Sequence, residues 1–231
     1  MILTITFISD THGLHNRITK DLPGGDLLIH AGDLTGRGEP EEIDQFCKWF
    51  ESLNNYDEKI FIAGNHDWGF QDSPKRTTEI INSYKWINYL QDDLLILGDD
   101  YSEAVKIWGS PWQPEFCNWA FNLPRLSDEL KEKWSLIPYD TDILITHGPP
   151  FGQLDVVTGR SEHLGCELLY QAIQEKKPKI HIFGHIHTGY GHKLHSGIHF
   201  VNASTLNERY YYRQKPITVV WNSITNKLSN I

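Results

Sequence analysis

Short runs of branched and aromatic apolar residues, closed by Gly, Asp, Asn or His, recur along the whole chain. They lie at 2–8, 27–29, 60–63, 94–97, 105–108, 143–145, 180–183, 198–201 and 217–221. Rich in Ile, Val and Phe and too short for helices, they read as buried strands. Helical spacing appears between several of them. Residues 41–53 put Ile43, Phe46, Cys47, Phe50 and Leu53 on one face. The acidic run 39–42 before that face reads as a helix start, where carboxylates suit the dipole. Residues 127–136 open on Ser127-Asp-Glu-Leu, an N-cap followed by an acidic first turn. Residues 161–175 carry Leu164, Leu168, Leu169 and Ile173 and stop before Pro178. The last three apolar runs follow with little helix between them. The pattern predicts an α/β chain with one sheet joined by helical crossovers and a second with more hairpin-like connections. No repeat, low-complexity tract or linker interrupts it, so one domain over 1–231 is expected.

Composition narrows the function classes. A chain of 231 residues buries about 70% of its unfolded surface. With 39% hydrophobic and 22% charged residues it is not a disordered sequence. Its net charge of −9, from 21 basic and 30 acidic residues, argues against a nucleic-acid polymer or a membrane surface as partner. No apolar run approaches ~20 residues, so no spanning helix is expected. The apolar start runs directly into Ser9-Asp10-Thr11-His12 and does not read as a signal peptide. Cys47, Cys117 and Cys166 are sparse and unpaired in spacing, which predicts reduced thiols and a cytoplasmic location. The twelve histidines are the compositional oddity.

Where the histidines stand decides what they mean. The predicted strands end in Asp10-Thr-His12, Gly32-Asp33, Gly64-Asn65-His66-Asp67, Thr146-His147-Gly and Gly184-His185-Ile-His187. In open α/β sheets ligands bind beyond the carboxyl ends of the strands. Carboxylates, imidazoles and one amide oxygen without thiolate suit a pair of ions such as Mn, Fe, Zn or Co. Alternation in Asp10-x-His12 and His185-x-His187 is expected to put both side chains of each pair on one side of an extended segment. Glycines 32, 64, 148 and 184 would let the backbone approach closely.

The ordered set Asp-x-His, Gly-Asp, Gly-Asn-His-Asp, His and Gly-His-x-His, from residue 10 to residue 187, resembles the calcineurin-like metallophosphoesterase superfamily. The resemblance implies a double β-sandwich of two mixed sheets flanked by helices. It implies two divalent metal ions, with Asp10, His12 and His187 on the first, Asp33 bridging, and Asn65, His147 and His185 on the second. It implies that Asn65 and His66 contact the phosphoester, that His66 helps the leaving group, and that Asp67 orients His66. The segments 32–39, 109–114, 146–150 and 184–187 are similar to the small metallophosphoesterase-domain subgroup, which resembles class III cyclic nucleotide phosphodiesterases. That likeness implies hydrolysis of a phosphoric ester by a hydroxide held between the ions. A serine/threonine-type phosphatase and an inactive scaffold are the alternatives, and the filled motif positions weigh against the scaffold.

The expected partner is a small phosphoester, in particular a nucleotide or aryl diester. A diester's single charge suits a site with no nearby arginine beyond Arg37. Residues 109–125 hold three prolines among Trp112, Phe116, Trp119 and Phe121, and read as an ordered surface loop that presents aromatics. Trp112 is the expected stacking residue for a base or ring, with Trp119 and Phe121 packed inward. His15, His30, His163, His181, His192, His195 and His199 read as structural or surface groups.

Overall fold

The structure is a computed structural model that describes residues 1–98 and 104–230. The chain opens with β1 (Ile2–Ile8), β2 (Gly25–Ala31), α1 (Pro40–Ser52), β3 (Tyr56–Ile62), α2 (Trp68–Asp72) and α3 (Pro74–Ile81). There follow β4 (Asn88–Tyr89), β5 (Asp93–Leu97), β6 (Val105–Ser110), β7 (Gln113–Pro114), β8 (Asn122–Leu123) and α4 (Asp128–Ser135). The last part holds β9 (Ile143–Thr146), α5 (Glu167–Lys176), β10 (Ile180–Phe183), β11 (Gly191–His195), β12 (Ile198–Asn202), β13 (Ile217–Asn222) and β14 (Lys227–Asn230).

One sheet has the order β14-β13-β1-β2-β3-β4 and the other β11-β12-β10-β9-β6-β5. Both are mixed. In the first, β1, β2, β3 and β4 run parallel and β13 pairs antiparallel with β1. In the second, β12, β10, β9 and β6 run parallel and the two edge strands are antiparallel. The inner faces meet in one apolar layer, where Ile5, Phe7, Ile29 and Ile60 lie opposite Ile107, Ile143, Ile182 and Val201. α1 covers the outer face of the first sheet through Phe46 and Phe50, packed on Phe61. α4 and α5 cover the second through Trp134, Leu169 and Ile173. The expected double sandwich with flanking helices is therefore the observed fold.

α1 and α4 start where the sequence places them. Glu39 and Glu42 form a reciprocal capping box on α1, and Ser127 Oγ accepts from Leu130 N on α4. α5 starts later than the apolar spacing predicts. The N–H of Leu164 and of Gly165 both bond to Asp155, which bends 161–165 away from helix, and Cys166 becomes the cap. The polar edge strand β11 and the short α2 and α3 carry no apolar run long enough to announce them.

Candidate active site

The strand ends that carry the motifs converge where the two sheets meet. A bridge between Ser9 and Ser204 ties β1 to the end of β12, and Thr205 N donates to Ser9 O at 2.9 Å. The convergence does not rest on extended alternation. Asp10, His12, Asp33 and His185 all have left-handed backbone, with φ of 53°, 43°, 55° and 66°. Such conformations are uncommon outside glycine and collect at functional sites. Each strand end is thereby hooked back over the sheet edge. The hooks are held by Asp10 N donating to Gly32 O and His12 N to Asp33 O, both at 3.0 Å. The hook at His185, followed by a short helical turn from His187, also separates those two histidines instead of leaving them on one side.

Two groups of side chains result. Asp10, His12 and His187 form one, and Asp33, His147 and His185 the other; within each, candidate ligand atoms lie within 4.8 Å of one another. His187 Nε2 is 3.3 Å from Asp10 Oδ1, and His147 Nε2 is 3.4 Å from Asp33 Oδ2. Asn65 joins the second group, with Oδ1 at 2.9 Å from His147 Nε2 and 2.8 Å from His185 Nδ1. Asp33 also faces the first group, 3.6 Å from His12 Nε2.

Burial and charge oppose each other throughout this cluster. Burial dominates at His12 and His185 and pushes both down to about 4. Burial also acts against charge on His147 and His187, but Asp33 beside the one and Asp10 beside the other lift both to about 9. Burial raises the two carboxyls as well, and the neighbouring imidazoles outweigh it, holding Asp10 and Asp33 well below the usual range. A divalent cation takes ionised carboxylates and neutral imidazoles, so an ion entering either group would displace the proton that Asp33 and Asp10 hold on His147 and His187.

The residues fit such ions. Both ring nitrogens of His12 are buried with no hydrogen-bond partner among the described residues, which is costly unless something else engages them. The glycines at 64 and 184 keep the backbone close: a Cβ at Gly64 would fall on the Asp33 carboxylate, and one at Gly184 on that of Asp10.

His66 stands beside both groups and forms a third cluster with His12 and Asp33. Its backbone N donates to Asp33 Oδ1 at 2.8 Å, and its Nδ1–H donates to Gly36 O at 3.0 Å. The expectation that Asp67 orients the His66 imidazole does not hold. The Asp67 carboxylate accepts from Gly64 N, Leu34 N, Thr35 N and Thr35 Oγ1, and so ties the loop after β2 to the loop after β3. Gly36 is the group that holds the imidazole, and Gly36 is itself braced by Glu42 of α1, whose carboxylate accepts from the Gly36 and Arg37 N–H groups.

A model of the calcineurin-like phosphoesterase family matches residues 3–189. The chain belongs to the calcineurin-like phosphoesterases. It is 40% identical to the human metallophosphoesterase domain-containing protein 1 over 92% of this chain and 69% of that protein. It is 24% identical to a 3′,5′-cyclic-nucleotide phosphodiesterase of Nostoc over 81% of this chain and 65% of that protein. The solved structure of TT1561 from Thermus thermophilus superposes with a TM-score of 0.67 at 14% identity, covering 100% of this chain and 99% of that one, and shows the shared fold. Membership makes the protein a metal-dependent phosphoester hydrolase that uses divalent ions.

A cleft of about 510 Å³ opens beside the phosphoesterase's His185 and His187. Its apolar wall includes Phe116, Val157, Leu164 and Ile186, and Arg160 lies on its lining. No motif announced an arginine here. Arg125 also lines the cleft but is committed to Glu167 and to the carbonyls of Leu164 and Gly165.

Trp112 does not reach this cleft, which corrects its expected stacking role. Its indole N–H donates to Asp92 Oδ2 at 3.0 Å, Lys133 Nζ sits 4.5 Å above its ring, and it packs between two cores. Phe121 is fully buried as expected, whereas Trp119 is only partly buried. It stacks on His66, with ring centroids 4.1 Å apart. Phe116 is more than half exposed and meets His185 edge-on at 6.0 Å. Tyr210 stands edge-on to His12 at 4.9 Å and to His187 at 5.4 Å, on a left-handed residue. Nothing in the motif pattern pointed to Tyr210. His30 and His181 are buried beside Thr11 and Thr146, and His15 packs on Trp49, all as structural groups. Among the described residues, no helix is long and apolar enough to cross a membrane.

Proposed function

We propose that this phosphoesterase hydrolyses small phosphodiesters carrying a nucleoside or aryl group. Asp10, His12 and His187 would hold one divalent ion (Mn, Fe, Zn or Co) and Asn65, His147 and His185 a second, with Asp33 between them. The observation that carries the reading is the adjacency of the two ligand groups to an apolar cleft, with His185 and His187 serving both. The phosphoryl group belongs at the ligand groups and an organic arm in the cleft, where Phe116 offers an exposed ring. The similarity to a protein whose name gives cyclic-nucleotide phosphodiesterase activity agrees with this substrate class.

Bound divalent ions supply positive charge to the phosphoryl oxygens and activate water. The chain's own residues do the rest. Asp33 and Asp10 lower the net charge of the pair, so the small positive charge that remains suits a singly charged diester. Since Gly36 O can only accept, the His66 Nδ1 carries a proton and Nε2 is left to face the site. In the imidazolium form, with both nitrogens protonated, Nε2–H gives its proton to the departing oxygen and the ring is left as the Nδ1–H tautomer held by Gly36 O. Asn65 and the His66 imidazole also touch the substrate, on the reading carried from the sequence.

The test is a panel of mono- and diesters assayed with Mn, Mg, Zn and Fe. The reading expects aryl and nucleotide diesters to be turned over faster than the matching monoesters and than dialkyl esters. A clear preference for monoesters in every metal would replace it with a phosphatase assignment.

A further inference from the structure

Trp119 contributes to none of the three apolar cores, unlike Trp112, Trp108 and Trp134. Among the described residues, the ring contact it makes is with His66, nearly parallel at 25°. Its segment is nonetheless anchored with care. The next residue, Ala120, is fully buried and donates its N–H to Asn65 O at 3.1 Å, and Phe121 N donates to Gln71 Oε1 at 2.6 Å. The chain thus fixes a large, partly buried indole directly over one side chain, from a loop pinned to the residue before that side chain. The His12 ring also meets this imidazole, T-shaped, with centroids 4.5 Å apart. Gly36 O holds the Nδ1–H and so leaves Nε2 as the free donor, but one hydrogen bond lets the ring swing about the N–H···O axis. A stacked face removes that swing.

We propose that Trp119 is the positioning residue for His66, holding the imidazole plane so that Nε2 faces the departing oxygen. The inference rests on the reading of His66 as proton donor. Trp119 does not touch substrate and transfers no proton. Removing its ring lets His66 leave the reacting line. A misplacement of about 1 Å costs on the order of 10²-fold when the displaced group acts in the transition state. The loss must then follow the leaving group. Esters whose departing oxygen needs a proton suffer, and esters of acidic phenols, which leave without one, do not.

The experiment uses the metal-loaded enzyme and a series of aryl diesters graded by phenol acidity, with Trp119→Leu, Trp119→Phe and His66→Gln. Trp119→Leu is expected to lower kcat about 10–100-fold for the least acidic phenols and much less for the most acidic. KM, metal content and melting temperature should stay near the parent's, and Trp119→Phe, which keeps a ring face, should restore most of the rate. In zinc-loaded protein, the His66 ring-proton resonances should lose the upfield displacement that an indole face imposes, in the Leu variant only. A loss equal on all esters, or unchanged His66 resonances, overturns the proposal. If His66→Gln itself shows no leaving-group dependence, the proton-donor reading is what fails. The resonances then decide the positioning: loss of the displacement supports it and unmoved signals end it.

Discussion

Both groups are braced by the motif loops, with His185 N donating to the Asp10 carboxylate at 3.0 Å, but Asp10, His12 and His187 are braced in addition from the far end of the chain. In the first group, Ser204 Oγ donates to Asp10 Oδ2 at 2.8 Å, and the Ser204 backbone N donates to Asn202 Oδ1 at 3.2 Å. His187 Nδ1 donates to Asn207 O at 3.0 Å, and Tyr210 covers His12 and His187. In the second group, His147 Nδ1 donates to Ala31 O at 2.9 Å, Asn65 lies between the two imidazoles, and the His66 backbone holds Asp33. The residues around a ligand set its orientation and tautomer and matter nearly as much as the ligand. The second group therefore carries its own support within the motif loops. The first borrows support from 202–210, beyond the 3–189 that the family model covers.

The largest expected effect removes the residue that faces both groups. Asp33→Asn should lower activity by about 10³-fold or more, with metal content well below two ions per chain. Two retained ions with near-normal turnover would show that Asp33 does not join them. His66→Gln should lower kcat by about 10²–10⁴-fold with metal content unchanged, since the residue stands beside both groups and belongs to neither. A lost ion would move His66 among the ligands.

Trp112→Ala, remote from both groups, should cost about 2–4 kcal/mol of stability by denaturant unfolding and reduce all substrates alike. A KM defect confined to nucleotides would return Trp112 to the substrate wall. Ser204→Ala sharpens the contrast between the groups directly. It should weaken one metal-binding event by about 10–100-fold and leave the other alone, read by calorimetric titration. Equal weakening of both would erase the distinction.

The smallest effect lies outside both groups. Burial pushes His181 down to about 3, below its ordinary value near 6.5, so the unfolded chain takes up the proton first. The stability of its neutral form is fully present above pH 6.5 and is lost as pH falls toward 3. Between pH 7 and pH 5 this amounts to about 2 kcal/mol. His181→Gln should lower stability at pH 7 but flatten that part of the pH dependence, and parallel curves for parent and variant would contradict the assignment.

What was legible in the sequence and what was not divides along the same line. The strands could be read because their inner faces are Ile, Val and Phe, and the motifs because chemistry sits at the ends of those runs. The left-handed hooks at Asp10, His12, Asp33 and His185 could not be read, because neither Asp nor His marks such a backbone as Gly does. Asp67 lies next to His66 in sequence, yet its carboxylate turns back to the donors at Leu34, Thr35 and Gly64. The aromatics of 109–125 are legible in the sequence, but which of them faces the site depends on Asp92 and Lys133. These lie on separate elements and capture Trp112, leaving Trp119 over His66. Residues 202–210 carry no motif, and their role follows only from the return of β12 beside β1.

On the proposed function, two ions share Asp33 between groups of different construction. Anomalous diffraction from crystals grown with manganese decides this. Two peaks are expected, one among Asp10, His12 and His187 and one among Asn65, His147 and His185, with Asp33 in reach of both and His66 coordinating neither. A single peak, or a second ion held by His66 in place of His147 and His185, would contradict it.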